Sequence, residues 1–219
     1  MDWGYLQQIL PSLIEGLGFT CYFFVIVFLL SFLIGILLSF LLSLKIKFLS
    51  IAINGFTSLI RGTPLLFQLY FVYFGLPLIF GIKIDALSAG LLSFILSWTA
   101  YLTEVIRGSI QSIDEGQIEA GLVLGLSRFQ IMRYVTFPQA LVGALPSINN
   151  QAVSLIYGTA LLSVLGLNDI LKAARIAVIR DFRLEAFLVA ALMYALCNGF
   201  LIMAFRRLEK YFCRYKSKV

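Results

Sequence analysis

The side chains that could do covalent chemistry are few in this chain, and their scarcity narrows its function. Histidine is absent from the 219 residues, and the three cysteines, Cys21, Cys197 and Cys213, are odd in number and scattered, so they offer neither a disulfide framework nor a metal site. No glycine-rich loop followed by Lys-Ser or Lys-Thr occurs. The chain therefore has no visible equipment for binding or hydrolysing a nucleotide, and no cofactor is expected. A membrane-embedded enzyme would need a nucleophile, a base or metal ligands gathered near one face, whereas the acids cluster between Asp114 and Glu119. The chemistry that remains is recognition. It is concentrated in three places: the glycine-punctuated stretch from Asp114 to Gln139, the isolated Arg61, and a run of hydroxyls and amides from Ser147 to Ser163.

The elements that position these groups are membrane spans. Apolar residues make up 61% of the chain and charged ones 13%, and the mean hydropathy is +0.97. An ordinary soluble domain has roughly 45–50% apolar and about 25% charged residues. About 20 apolar residues cross the hydrocarbon core, and the charge-free windows are Gly16–Leu44, Gly62–Ile82, Ala86–Thr103, Tyr134–Asn168 and Ala186–Phe205. The second window begins upstream of Arg61, near Ile51, if the helix is interrupted at Gly62-Thr63-Pro64. The fourth is too long for one crossing, so Pro138 and Pro146 should mark its start and a bend, with the crossing ending near Gly166. The expectation is an all-α, single-domain chain over 1–219 with five transmembrane helices. The N-terminus carries Asp2 in place of a basic region, so a retained N-terminus is expected; Trp3, Leu6, Leu10, Leu13 and Leu17 suit an interfacial helix that Pro11 breaks or restarts.

An odd number of spans puts the termini on opposite sides. Lys45, Lys47, Arg107, Arg128, Arg133, Arg206, Arg207, Lys210, Arg214, Lys216 and Lys218 all fall on one side of a five-span arrangement, which is then cytoplasmic. Asp2, Glu15, Lys83 and Asp85 fall on the other, with a mixed loop of Asp169, Lys172, Arg175, Arg180, Asp181 and Arg183. The N-terminus is thus expected outside and the C-terminus inside.

The water-facing segment reads as a knob. Asp114 with Gln117, and Ser127 with Gln130, have the spacing of a helix-start box in which side chain and backbone satisfy each other's orphan groups. Gly125 can end the first helix in the left-handed conformation. Two short helices, roughly 115–124 and 128–136, are predicted, joined by a tight turn and closed by Pro138. Ile118, Leu122, Phe129 and Met132 can offer apolar side chains to a groove, while Glu119, Arg128 and Arg133 fix orientation at its rim.

This segment, Gly116-Gln117-Ile118-Glu119-Ala120-Gly121 followed by Gly125 and Phe137-Pro138-Gln139, resembles the EAA loop of ABC-importer permeases. Gly121 stands where the family has Ala. Arg61-Gly62-Thr63-Pro64-Leu65-Leu66-Phe67-Gln68-Leu69, Tyr73-Phe74-Gly75-Leu76-Pro77, and Ala100-Tyr101-Leu102-Thr103-Glu104 with Arg107-Gly108 look like the signature of the polar amino acid subfamily, related to the histidine and glutamine permeases. The resemblance runs in order from about Gly18 to Glu209. It implies a type I importer permease fold with a cytoplasmic coupling loop at about 107–137, in which Gly116, Ile118, Glu119, Ala120, Gly121, Gly125 and Arg128 meet an ATPase. It also implies a bacterial plasma-membrane assembly of two permeases, identical or not, on two ATPases, fed by an external amino acid-binding protein. Lipid is then the surrounding solvent, and nucleic acid has no part.

The substrate route rests on the other two places. Arg61 is either a snorkelling residue at a helix end or, with Thr63 at an unwound break, part of the permeation route. In the fourth window Asn150, Ser154 and Tyr157 recur at spacings of 4 and 3, so they share one helix face, with Gln151 adjacent. That face either hydrogen-bonds neighbouring helices or lines the path, and the path is the preferred reading. The family's charged positions are here Gln151, Tyr157 and Gly158, followed by Thr159. Their neutrality favours a zwitterion such as cystine or glutamine over a cationic amino acid. An ion-coupled secondary transporter is the alternative, but it would want intramembrane carboxylates, and none lies within Gly62–Ile82 or Tyr134–Asn168.

Overall fold

The computed structural model describes residues 3–213; Asp2, Arg214, Lys216 and Lys218, used above for orientation, lie outside the described residues. All regular structure among the described residues is helical. The first helix, α1 (Trp3–Ser43), is followed by α2 (Lys47–Arg61), a break at Gly62-Thr63-Pro64, and α3 (Leu65–Tyr70). A π-turn, Phe71–Gly75, joins α3 to α4 (Leu76–Phe80). Then come α5 (Ala86–Gln111), α6 (Glu115–Val123), α7 (Arg128–Ile131), a second π-turn (Met132–Thr136), α8 (Phe137–Gly158), a 3₁₀ segment (Thr159–Leu165), α9 (Ile170–Asp181) and α10 (Glu185–Cys213). Four stretches are long and apolar enough to cross a membrane: Trp3–Ser43, Ala86–Gln111, Arg128–Leu165 and Glu185–Phe212. The broken pair α2 and Leu65–Phe80 makes a fifth when counted as one span.

Several expectations need correction. Pro11 does not divide the N-terminal region, because α1 runs unbroken through it. An interior proline costs a helix about 3 kcal/mol or more. Here Tyr5, Ile9 and Leu13, one turn apart and buried, pack against α9 and the start of α10, and each such burial is worth about 1.5–3 kcal/mol. The packing outweighs the proline. Pro138 does not close the knob either. The π-turn Met132–Thr136 stands one residue before Phe137-Pro138, as Phe71–Gly75 stands one residue before Leu76-Pro77, and the wide-turn bonds Phe137 N–H to Met132 O and Leu76 N–H to Phe71 O lead into both prolines. A widened turn opens the backbone where the proline ring would otherwise strike the carbonyl one turn back, so the helix axis continues.

The loop after Gly166 is also mostly helix. Gly166 takes φ +76 and ends the 3₁₀ segment, as expected, and Asp169 then starts α9 by accepting from Leu171 N–H at 3.1 Å and Lys172 N–H at 3.2 Å. Ile170, Ala173, Ala174 and Ala177 lie on one buried face of that helix. Charged residues on the other face hid it from a reading based on charge.

The chain divides into two compact units that share its long helices. The first holds residues 1–29, 64–95 and 152–202. Its core is the Tyr5, Ile9 and Leu13 cluster on α9 and α10, with Phe23 edge-on to Phe94 at 5.0 Å between ring centres. Gly16 is required there, since a Cβ on it would lie 2.9 Å from the Asp169 carbonyl oxygen. Asp169 is fully buried, and the Tyr194 hydroxyl lies 3.4 Å from its carboxylate. Burial pushes the Asp169 carboxyl above its usual range, with the α9 amides pulling the other way. The second unit holds 30–63, 96–151 and, among the described residues, 203–213. In it Phe40 lies edge-on to Phe129 and Phe137, at 6.0 and 5.6 Å. The Ser39 hydroxyl donates to Thr103 O at 2.9 Å, Ser109 to Ala140 O at 2.6 Å, and the Trp98 indole to Gln151 O at 3.0 Å.

Candidate functional site

The knob, α6 and α7, is built almost wholly from local backbone devices. Asp114 caps α6 by accepting from Gly116 N–H at 2.7 Å, without the reciprocal bond from the Gln117 side chain that the spacing predicted. Ser127 and Gln130 do form the complete box, with Ser127 N–H on Gln130 Oε1 at 2.8 Å and Gln130 N–H on Ser127 Oγ at 3.3 Å. Gly125 takes φ +78. The bonds from Leu126 N–H to Gly121 O and from Gly125 N–H to Leu122 O, both 3.0 Å, close α6 in the six-to-one, five-to-two pattern that only a left-handed residue permits. Gly121 is buried, and a Cβ there would sit 2.8 Å from Ile131 Cγ1. The glycine found where alanine was expected thus lets α7 lie directly on α6.

Gly116, Glu119, Ala120, Gly125 and Arg128 are exposed on this knob, and Ile118 is half-buried. Phe129 is partly committed to Phe40 and Met132 is half-buried. The largest apolar exposure falls instead on Val123 (86%) and Leu124 (78%), which adjoin Leu122. Helical periodicity does not single out these two, because they fall at the helix end, off the helical repeat.

On α8, Ser147, Asn150, Ser154 and Tyr157 are all exposed along one face, with Pro146 beside them. Ala144, Ile148, Ala152, Leu155 and Ile156 fill the opposite face. Gln151 and Gly158 are half-buried. Thr159 departs from the group: it is buried, and its hydroxyl donates to Ile156 O at 2.7 Å. The exposed residues form a polar stripe on a helix of membrane-spanning length. A hydrocarbon environment does not tolerate such a stripe, which requires water, substrate or another polypeptide against it.

Arg61 ends α2, and the Thr63 hydroxyl at the break donates to Leu59 O at 3.2 Å and Ile60 O at 3.1 Å. Thr63 therefore adds a side-chain donor to the carbonyls at the end of α2, where Ile60 O also accepts from the Thr63 N–H at 3.3 Å. Arg61 is no lone snorkeller. Its guanidinium lies 3.5 Å from Glu104 Oε1 and 5.8 Å from the Tyr101 ring centre, and Arg107 grips the same carboxylate. Glu104 was not among the expected site residues, and its position three residues before Arg107, which puts the two on one helix face, is the signal in the sequence.

A capped knob, spans broken or widened at prolines, and a polar face on a spanning helix fit a membrane transport subunit. Residues 31–212 match the family described as the binding-protein-dependent transport system inner membrane component, and the chain belongs to that family. It is 34% identical over 219 residues to the glutamine transport system permease protein GlnP of Escherichia coli (strain K12), covering 95% of this chain and 96% of that one. Among solved structures it matches an amino acid ABC transporter crystallised with histidines, with a TM-score of 0.88, 30% identity, and 96% and 99% of the two chains covered. An inward-facing methionine transporter, MetNI, shares the fold with a TM-score of 0.77 at 17% identity, covering 97% of this chain and 99% of that one. The fold is that of a type I ABC importer permease, and the chain is a multi-pass transport subunit, not an enzyme.

Proposed function

We propose that this chain is the permease subunit of an ATP-driven importer for a neutral, zwitterionic amino acid, of which glutamine and cystine are the leading candidates. The observation that carries this reading is the exposed stripe Ser147, Asn150, Ser154 and Tyr157 on α8, which is polar but uncharged. Uncharged donors and acceptors suit a ligand whose side chain brings no net charge, and a cationic ligand would call for a membrane carboxylate. The likeness to a glutamine permease and to an amino acid transporter supports the same substrate class.

In this reading the chain is one transmembrane domain that pairs with a second permease. Two cytoplasmic ATPases receive Gly116, Ile118, Glu119, Ala120, Gly125 and Arg128, the exposed Val123 and Leu124 enter the groove of the ATPase, and Gly121, expected to meet the ATPase, instead seats α7 on α6 behind them. The N-terminus faces outward and the C-terminus the cytoplasm, so that an external binding protein delivers the amino acid to the far side. ATP binding draws the ATPases together, the knobs follow, and the permease pair rocks between inward-open and outward-open forms. Asn150, Gln151, Ser154, Tyr157, Gly158 and Thr159 then line or back the route, and Arg61 and Thr63 stand at the broken span. Proteoliposomes holding the permease, its ATPase and the binding protein test this directly. Uptake of labelled glutamine or cystine that requires ATP and survives collapse of ion gradients is expected. Uptake driven by an ion gradient without ATP would instead establish a secondary transporter.

A further inference from the structure

Two guanidinium groups share one carboxylate near the break in the second span. Arg107 grips Glu104 with Nε 3.0 Å from Oε2 and Nη2 on Oε1, a two-pronged pair that occupies both carboxylate oxygens. Arg61 is held less closely, at 3.5 Å from the same carboxylate and with its guanidinium 5.8 Å from the Tyr101 ring centre. The side chains of Arg61, Glu104 and Arg107 are 38%, 25% and 33% exposed, so all three are partly withdrawn from solvent. The cluster carries a net charge of about +1, in keeping with guanidinium groups that stay protonated in proteins. Glu104 and Arg107 are the only charged residues of α5, whose 26 residues are otherwise uncharged. The surplus cation is partly withdrawn from water at the end of a spanning helix, where it can take an anion, and a planar guanidinium presents paired N–H donors matched to a carboxylate.

We propose that Arg61 is a subsite for the α-carboxylate of the transported amino acid, with Glu104 its positioning residue and internal competitor. This rests on the reading that the chain carries an amino acid. Every amino acid brings that carboxylate whatever its side chain, so the subsite supplies affinity without selecting among side chains. Selection among side chains is left to the neutral face of α8. Glu104 holds the Arg61 guanidinium against the Tyr101 ring while Arg107 satisfies most of the carboxylate. The long Arg61 contact can therefore be exchanged for the substrate at little cost, and Glu104 reclaims Arg61 on release.

The test uses the permease–ATPase complex in phosphatidylcholine nanodiscs without ATP. Binding of labelled glutamine is measured by equilibrium dialysis, against glutaminamide, in which the carboxylate is replaced by an amide. Wild type should bind glutamine at least tenfold more tightly than glutaminamide. Arg61→Gln should remove that preference by weakening glutamine alone, and Arg61→Lys should restore part of it. Glu104→Gln, which keeps a partner for Arg107, should tighten glutamine about threefold to tenfold by releasing Arg61. A structural role for the cluster predicts the same loss for both probes in both variants, and that result overturns the subsite. A wild-type preference that vanishes when phosphatidylglycerol replaces phosphatidylcholine, or on addition of inorganic phosphate, would assign Arg61 to a lipid phosphate and equally overturn it. ATP-driven glutamine uptake, measured in parallel, separates the two claims: uptake without a carboxylate preference refutes the subsite alone, and an importer that moves no amino acid refutes the substrate class as well.

Discussion

The knob and the polar face of α8 are both exposed and both rich in small or polar residues, yet they hold their shape in opposite ways. The knob is self-contained. Asp114, Ser127 with Gln130, and left-handed Gly125 satisfy the backbone ends of α6 and α7, and Gly121 receives Ile131. The face of α8 is backed by a complete apolar surface, but its own side chains, Asn150, Ser154 and Tyr157, point outward on a helix of spanning length. One region carries its own solution, and the other depends on what stands against it. On the proposed function, changes to the knob should therefore act through its fold and its hold on the ATPase, and changes to the α8 face through the ligand.

The largest expected effect lies in the knob. Gly125→Val places a β-branched residue at φ +78, which costs roughly 1–2 kcal/mol of local strain, and Glu119→Lys inverts an exposed charge of the docking surface. Both should abolish uptake while membrane abundance stays near wild type, and both should lower recovery of the ATPase with the tagged permease. Full uptake with either would remove the coupling role from this segment. Gly121→Ala should follow, since the added Cβ meets Ile131 Cγ1 at 2.8 Å and overpacking of this kind costs about 1–3 kcal/mol. Ile131→Ala in the same chain should recover ATPase association, because it removes the atom that is struck.

The α8 face should respond differently. Asn150→Ala or Tyr157→Ala removes a polar partner worth roughly 1–3 kcal/mol when withdrawn from water, so uptake should fall about fivefold or more at unchanged abundance and unchanged ATPase association. Gly158→Asp sharpens the contrast by adding a counter-charge beside the neutral face, and it should shift competition uptake toward arginine over glutamine. Unchanged selectivity would locate specificity in the binding protein or the partner permease.

How much was legible follows the same division. The Gly125 turn, the Ser127–Gln130 box, the break at Gly62-Thr63-Pro64 and the end of the fourth crossing at Gly166 were readable because each is decided by a few adjacent residues. The reciprocal bond at Asp114 was not, since it depends on which rotamer Gln117 takes. Continuity through Pro11 depends on burial against α9 and α10, more than a hundred positions away, and α9 itself was hidden by its charged outer face. Glu104 emerged as the partner of Arg61 only when α2 and α5 were brought together.

The smallest effect concerns the buried Asp169. Its carboxyl is raised in the folded protein, so the cost of ionising it is present above that raised value and absent below the unfolded value of about 3.9. Wild type should accordingly gain stability as the pH falls through the raised value. Asp169→Asn keeps a competent helix cap, and should match or slightly exceed wild-type thermal stability at pH 8 and lose that pH dependence. Asp169→Ala should lose the cap, about 1 kcal/mol, and should fall furthest below wild type at low pH, where the wild-type carboxyl is neutral.

Whether the exposed face of α8 lines the route of a neutral amino acid can be read by labelling. With Cys21, Cys197 and Cys213 replaced by alanine, Ser154→Cys is placed in the assembled importer and exposed to a hydrophilic maleimide, with and without saturating glutamine and cystine. Labelling at Ser154 that is slowed severalfold by one of these amino acids and unaffected by arginine is the predicted result. A thiol that reacts only with a lipid-soluble reagent, or one whose labelling no amino acid changes, would contradict it.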